Sequence, residues 1–569
     1  MALALAMLAS LLVLADWSRG QTFSNDELGY ASRFATQSLG HVLLYPPANK
    51  YMIAVPLLVF RALFGTVGLD SYAPYAGLGI LLNLLCGGLF YLLARRRVGD
   101  LWALPPTVLL LFFGYGWGQM STAIPSLMAL ASGLGMMLVL TRRDLSGDLA
   151  GAGLLTLSLF SHPEAIAFAV AAAILIASRS SPDRWRRAWV FLVPAGLYAI
   201  WWLFLRVPGQ LPMRTRIGPI ATFVGDALTS TVAAITGLAG ILHNPSYDQA
   251  PAWIAAGAVV ALAFWAVATR SRTAPPTFWA TAAAFVTMLV ITAFAPFRSA
   301  DEPRYLYPAA LLLLLTLSEV VGAAGPPNWM LWAATGILAL GLVANIDRLN
   351  DVGDSGRRSA TQIRANFGAT EIASDVVDAG YRPLGVYYAT AGEYLDAVHA
   401  FGSPAYSPSQ LTQLAAPVRG AVDAVLINEM RLRLQPADAG FLAGTAPRVA
   451  AALQGRSHRE AGCTALRPIG DAQAFAPSTG ALPPPPGSGS APPPALGELV
   501  LPPGGVSIRA PGGSRTALRL GRFADAPMLP LEMPQGTEEA RLVIPDDAST
   551  VPWRLVVYAH APVSVCGLA

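Results

Sequence analysis

Asp26 and Glu27 stand side by side about ten residues after the first apolar segment of the chain. Adjacent carboxylates can divide the work of a site. One takes a proton from an attacking hydroxyl, and the other orients it or helps to hold a divalent ion. They can also do no more than cap a helix, since Ser24, Asn25 and Asp26 are all good caps. Further ionisable residues recur near the ends of apolar segments: Lys50, Arg61, His162, Glu164, Arg206, His243, Asp301, Glu302 and Arg304. Cations of this kind suit a phosphate, with arginine the best bidentate partner. Carboxylates mixed with cations beside lipid fit a phosphate-bearing lipid substrate. Plainer readings stand next to these. Arg304 can snorkel at a span end, His162 with Glu164 can close a helical hairpin, and Asp301 with Glu302 can form a solvated turn. No zinc-type His/Cys spacing is present.

The elements that must position these residues are membrane spans. Of 569 residues, 54% are hydrophobic and 13% charged, and mean hydropathy is positive. Apolar runs long enough for the roughly 30 Å hydrocarbon core recur through the first 346 residues. The formal charge of +4 is small, and its basic residues fall between spans rather than in a stripe, which excludes a nucleic-acid partner. Lys50 is the only lysine. Eleven spans are expected, at 1–15, 72–94, 101–117, 121–140, 149–161, 164–178, 187–205, 251–269, 277–295, 305–323 and 329–346. Arg95-Arg96-Arg97, Arg142-Arg143, the arginines of 179–187, and Arg270 with Arg272 occupy alternate connections. The positive-inside rule makes those connections cytoplasmic, with a cytoplasmic N-terminus and an exported C-terminal region. The first span reaches only about 22 Å as a helix. A cleaved signal peptide is the alternative there.

Three segments then fall on the exported side: 16–71 with the acidic pair, 206–250, and 297–305. Within the first, 41–65 is apolar but interrupted, which suits one or two helices lying along the interface. The expected fold class is an α-helical polytopic membrane protein of about eleven transmembrane helices, 1–346, carrying an exported α/β and β-rich region. Residues 347–480 read as an α/β unit, with a helix at 358–379, strands at 384–389 and 421–427, and helical patterns at 393–400 and 409–415. Residues 481–497, rich in Pro, Gly and Ser, read as a linker or long loop. Strand-like runs at 505–509, 516–520, 540–544 and 553–559 read as a small β-sandwich, 498–569. Cys463 and Cys566 fall in this exported part, where they either pair as a disulfide or remain two buried thiols.

The motifs carry a resemblance. An exported loop opening Asp26-Glu27-Leu28-Gly29-Tyr30 just after span one resembles the integral-membrane GT-C glycosyltransferases. The resemblance is to the bacterial relatives of the protein O-mannosyltransferases and aminoarabinose transferases (glycosyltransferase family 39-like). Leu43-Leu44-Tyr45-Pro46-Pro47, Ser161-His162-Pro163-Glu164-Ala165 and Arg304-Tyr305-Leu306-Tyr307-Pro308 are similar to further stretches of that family. His162 stands where the family has Arg or Lys, so a phosphate contact there would depend on pH.

The resemblance covers residues 1–346 and implies a bacterial inner (cytoplasmic) membrane enzyme with its C-terminal region periplasmic or extracellular. It implies a polyprenyl-phosphate-sugar donor and a glycan, lipid or protein acceptor, among membrane lipids. Asp26 would be the general base for inverting transfer, with Glu27 as its helper. Arg304, His162, Glu164, Lys50, Tyr45 and Tyr305 would contact the donor phosphate or the acceptor. The resemblance fixes no cofactor, and the acidic pair leaves room for a divalent metal, Mg or Mn. A non-catalytic glycolipid-binding or envelope-assembly scaffold of the same fold is the competing expectation. A transporter or flippase ranks third, because the charges sit at span ends and no repeat is visible.

Overall fold

The computed structural model describes residues 1–23, 26–45, 51–118, 124–142, 144–179, 181–205, 217–239, 253–258, 261, 275–294, 299–324, 326–385, 389–437, 444–460, 462–469, 493–511, 516–523, 525–547 and 549–568. Its helices are α1 (Ala2–Trp17), α2 (Asp26–Thr36), α3 (Leu39–Leu44), α4 (Ala54–Thr66), α5 (Ala73–Leu111), α6 (Ile124–Val139), α7 (Leu145–Leu159), α8 (Ala165–Ala177) and α9 (Ser181–Arg187). They continue with α10 (Trp189–Ile200, prolonged by a π-turn over Trp201–Leu205), α11 (Ile217–Thr236), α12 (Pro276–Ala293), α13 (Pro303–Ala324), α14 (Asn328–Ile372), α15 (Ala391–Phe401), α16 (Pro408–Leu411) and α17 (Ala416–Glu429). About eleven are apolar: α5, α11, α12, α13 and α14 are long enough to cross a bilayer, and α1, α4, α6, α7, α8 and α10 are shorter. Leu5 and Leu8 on α1, Leu192 and Ile200 on α10, and Trp329, Trp332 and Leu340 on α14 are exposed. Apolar surface on that scale is covered by lipid in a membrane protein. The chain is an α-helical polytopic membrane protein with a β-rich C-terminal region.

Several elements differ from the sequence expectation, for physical reasons. The spans expected at 72–94 and 101–117 are joined in α5 across a break at Gly99, whose φ of 81° is open to glycine. The two halves fold back on each other, so that Asn83 Nδ2 reaches the Leu111 carbonyl at 3.5 Å. The segment 206–250, expected as an exported connection, contains the membrane-length helix α11. Its Asp226, Thr229, Ser230 and Thr231 lower its hydropathy below that of the other spans. The span expected at 251–269 lies mostly outside the described residues, where 253–258 is helical. The last span and the helix expected at 358–379 are one 45-residue helix, α14.

The chain forms two units, Met1–Gln21 with Arg33–Arg358, and Thr22–Ser32 with Ser359–Ala569. In the first, polar ties cross between apolar helices. Arg97 pairs with Glu319, 2.9 Å apart, and Thr277 donates to the same carboxylate at 2.8 Å, linking α5, α12 and α13. Arg187 and Asp148 form a buried bidentate pair between α9 and α7.

In the second unit, 421–427 is helix rather than strand. Val422, Asp423, Leu426 and Ile427 are buried at helical spacing, and Pro417 opens the helix. At 384–389, residues 384 and 385 turn and 386–388 lie outside the described residues. Eleven strands then build two antiparallel sheets, ordered β1-β9-β6-β11-β4-β3 and β2-β5-β10-β7-β8. Strands β1 (Leu434–Pro436), β2 (Arg448–Ala452), β3 (Gly455–Glu460) and β4 (Cys463–Pro468) precede the proline-rich stretch. Strands β5 (Ala495–Val500), β6 (Gly504–Arg509), β7 (Ala517–Gly521), β8 (Leu529–Leu531), β9 (Glu539–Ile544), β10 (Arg554–Tyr558) and β11 (Val563–Gly567) follow it. The sheets therefore begin at Leu434 and draw strands from both sides of 481–497, so a boundary at 498 would cut through both sheets. Leu466, Leu499, Val506, Ile508, Leu520, Leu555 and Val565 fill the core of this unit. Cys463 and Cys566 are cross-strand neighbours on β4 and β11 and are joined by a disulfide.

Candidate functional site

Asp26 and Glu27 form the first turn of α2, where helix-dipole and orphan amide groups favour negative charge. Asp26 is half-buried and Glu27 is only 3% exposed, so the pair is not a freely solvated one. Tyr45 closes α3, half-buried, with its carbonyl accepting from the Arg33 guanidinium and its ring 5.0 Å from that of His41. Lys50 lies outside the described residues, as do Pro46 and Pro47.

His162 and Glu164 occupy the turn between α7 and α8, which Pro163 helps to end one helix and start the next. Glu164 is 2% exposed and accepts a hydrogen bond from the Ser126 hydroxyl of α6. His162 Nδ1 lies 3.6 Å from the same carboxylate, and the Tyr51 ring meets the imidazole edge-on at 5.2 Å. Among the described residues, Glu164 Oε1 and His162 Nδ1 have no hydrogen-bond partner. The local hairpin role is met by this geometry, with one Glu164 oxygen committed to α6 and the other without a partner among the described residues.

Arg304 sits in the first turn of α13, its Nε paired with the Glu302 carboxylate and its guanidinium 6.0 Å from the Tyr305 ring. Glu302 is thus the ion-pair partner of Arg304, while Asp301 beside it is exposed. Both Arg304 and Tyr305 are half-buried.

Sequence reasoning missed a polar cavity in the first unit. Its volume is about 410 Å³, and it is lined by Tyr115, Asp226, Thr229, Ser230, Trp253, Asp301 and Arg348. One residue outside the lining holds Tyr115 of its wall in place. Buried Asn345 on α14 accepts from the Tyr115 N–H at 3.2 Å and donates to the carbonyls of Ala234 (2.9 Å) and Gly341 (2.8 Å). It ties three elements together where backbones meet. A Cβ on Gly341 would stand 1.9 Å from the Ile235 carbonyl oxygen, and one on Gly114 1.9 Å from the Asn345 carbonyl oxygen. The signal that could have found the cavity is Asp226, a lone carboxylate in an otherwise apolar helix.

Among the described residues no group of three or more His, Cys, Asp or Glu side chains could hold a metal ion. The acidic pair supplies two carboxylates, a number that Mg commonly takes from protein alongside water and phosphate oxygens; no chemical step is assigned to a metal here.

No protein-family model matches the chain, and no curated protein matches it. Solved structures similar to it at low identity include the following two. ArnT from Cupriavidus metallidurans in the apo state is 15% identical over 72% of this chain and 90% of that one, with a TM-score of 0.31. The arabinosyltransferase EmbB from Mycobacterium smegmatis is 13% identical over 99% of this chain and 64% of that one, with a TM-score of 0.29. Neither likeness is close enough to assign a fold or an activity to this chain.

Proposed function

We propose that the protein is a membrane glycosyltransferase of the GT-C type, moving a sugar from a polyprenyl-phosphate donor to an acceptor hydroxyl on the exported face of a bacterial inner membrane. The observation that carries this reading is the order of four short motifs, three of whose ionisable groups stand at helix ends within a chain of about eleven apolar helices. Asp26 and Glu27 open α2, His162 and Glu164 join α7 to α8, and Arg304 begins α13. Charges at helix ends meet the membrane–water boundary, where a lipid phosphate lies.

In this mechanism Asp26 takes the proton of the acceptor hydroxyl as its oxygen attacks the anomeric carbon. The bond from that carbon to the phosphate oxygen breaks on the opposite face, so configuration inverts. The bonding electrons leave with the lipid phosphate, where negative charge grows. Arg304 and His162, with Lys50, stabilise that charge. Glu27 holds Asp26 or the acceptor in place, Glu164 orients His162, and Tyr45 and Tyr305 flank the substrate.

Asp26→Asn keeps the shape and removes the base. Transfer from a polyprenyl-phosphate sugar in proteoliposomes should fall about 10²–10⁴-fold. Undiminished transfer would remove Asp26 from this role.

A further inference from the structure

The 410 Å³ cavity shares only the apolar Leu306 with the stretches that carry the family resemblance, and its polar lining has a definite chemistry. Its volume falls in the roughly 300–1,000 Å³ range of small-molecule sites. Asp226, Thr229, Ser230 and Ala233 follow one another at helical spacing down one face of α11. A carboxylate on an apolar, membrane-length helix is costly unless it faces a polar space, and the cavity is that space. Asp301 enters from the turn before α13 and Arg348 from α14. Among the described residues no side-chain hydrogen bond or ion pair engages Asp226, Asp301 or Arg348. Trp253 adds an indole that is 46% exposed and packs near Gly225 of α11.

Two carboxylates against one guanidinium disfavour a phosphate or another anion. The hydroxyl and carboxylate groups disfavour a purely apolar ligand. A neutral polyhydroxylated ring satisfies the whole set. Its hydroxyls donate charge-assisted hydrogen bonds to the carboxylates, its oxygens accept from Arg348, and its apolar C–H face lies on the indole.

We infer that this cavity is a saccharide subsite, with Asp226 and Asp301 binding sugar hydroxyls, Arg348 binding a sugar oxygen and Trp253 stacking on the ring. The inference deepens the transferase reading and rests on it for one point only, that the ring belongs to the donor or the acceptor of transfer.

The test uses the full chain in an amphipol, so that no detergent sugar competes. Saturation-transfer NMR is recorded with methyl glycosides of glucose, galactose, mannose and arabinose, and with disaccharides of each. At least one should bind saturably. Asp226→Ala and Trp253→Ala should each weaken that binding roughly tenfold or more. Trp253→Phe, which keeps an aromatic face, should retain most of it. Competition with a water-soluble short-chain prenyl-phosphate sugar then separates the two sources. Displacement of the bound glycoside assigns the site to the donor, and simultaneous binding assigns it to the acceptor. If no sugar binds the unmodified chain, or if Asp226→Ala and Trp253→Ala bind as it does, the subsite is overturned. That result leaves the transferase reading intact wherever Asp26→Asn still abolishes transfer. Loss of the transferase reading would show as undiminished Asp26→Asn turnover, with cavity binding unaffected.

Discussion

Asp423 is fully buried on α17, where one carboxylate oxygen accepts from the backbone N–H groups of Arg522 (2.9 Å) and Phe523 (3.4 Å). Burial pushes its pKa up from 3.8 to about 7, against those two hydrogen bonds and the nearby Arg522 and Arg419, which pull it down. Arg522 is itself committed to Asp547 and lies 4.4 Å from the Trp553 ring. Because the folded chain binds this proton more tightly than the unfolded one, the group's stabilisation is complete below about pH 3.8. It is lost as pH rises towards about 7, on the order of 4 kcal/mol in all. The thermal midpoint of the unmodified chain should therefore fall between pH 5 and 8 more steeply than that of Asp423→Asn. Parallel curves for the two proteins would show that Asp423 does not titrate in this window. Asn345→Ala removes three hydrogen bonds behind Tyr115 and should cost about 2 kcal/mol, using the modest value of such bonds inside membranes. A detergent melt reads that loss as a lowered midpoint.

At the scale of elements, the closest backbone approach between α11 and α14 depends on Gly341. A methyl group there meets the carbonyl of Ile235, which cannot rotate away as a side chain would. Gly341→Ala should cost roughly 1–3 kcal/mol through overpacking. Gly336→Ala, one turn and a residue earlier on the same helix with open space around its Cβ position, should be neutral or slightly stabilising. Equal melting points for the two variants would mean that α11 and α14 do not meet there.

The same pair of helices shows what sequence can and cannot tell. The apolar part of α14 was plain, because Trp329, Leu340 and their neighbours face outward at every turn. Helix α11 was hidden, because Asp226, Thr229 and Ser230 on its cavity side interrupt an otherwise apolar run and lower its hydropathy. In the C-terminal region the strand-like runs at 505–509, 516–520, 540–544 and 553–559 correspond to β6, β7, β9 and β10. The short run at 421–427 fits a strand as well as a helix by composition, and only its packing against the sheets decides for helix. The acidic pair could be found by its position after the first apolar helix. Its partial burial could not, because burial depends on parts of the chain far away in sequence.

At the scale of the whole molecule, the Cys463–Cys566 bridge closes a loop of sequence separation 103. By the chain-entropy account a loop of that length stabilises the closed form by roughly 4–5 kcal/mol at most. Replacing both cysteines with serine should lower the melting transition of the C-terminal region while leaving the helical signal of the first unit largely unchanged. A single transition that moves as a whole would show instead that the two units unfold together.

That bridge also makes the pair a compass. Disulfides persist in oxidising compartments and are reduced in the cytosol, and the remaining cysteine, Cys86, is buried. A bulky maleimide added to intact cells, then to denatured and reduced protein, counts thiols by the step each adds on a gel. Two additional steps on reduction would record that the C-terminal sheets matured beyond the cytoplasm. The same two steps without reductant would turn the orientation of every helix around.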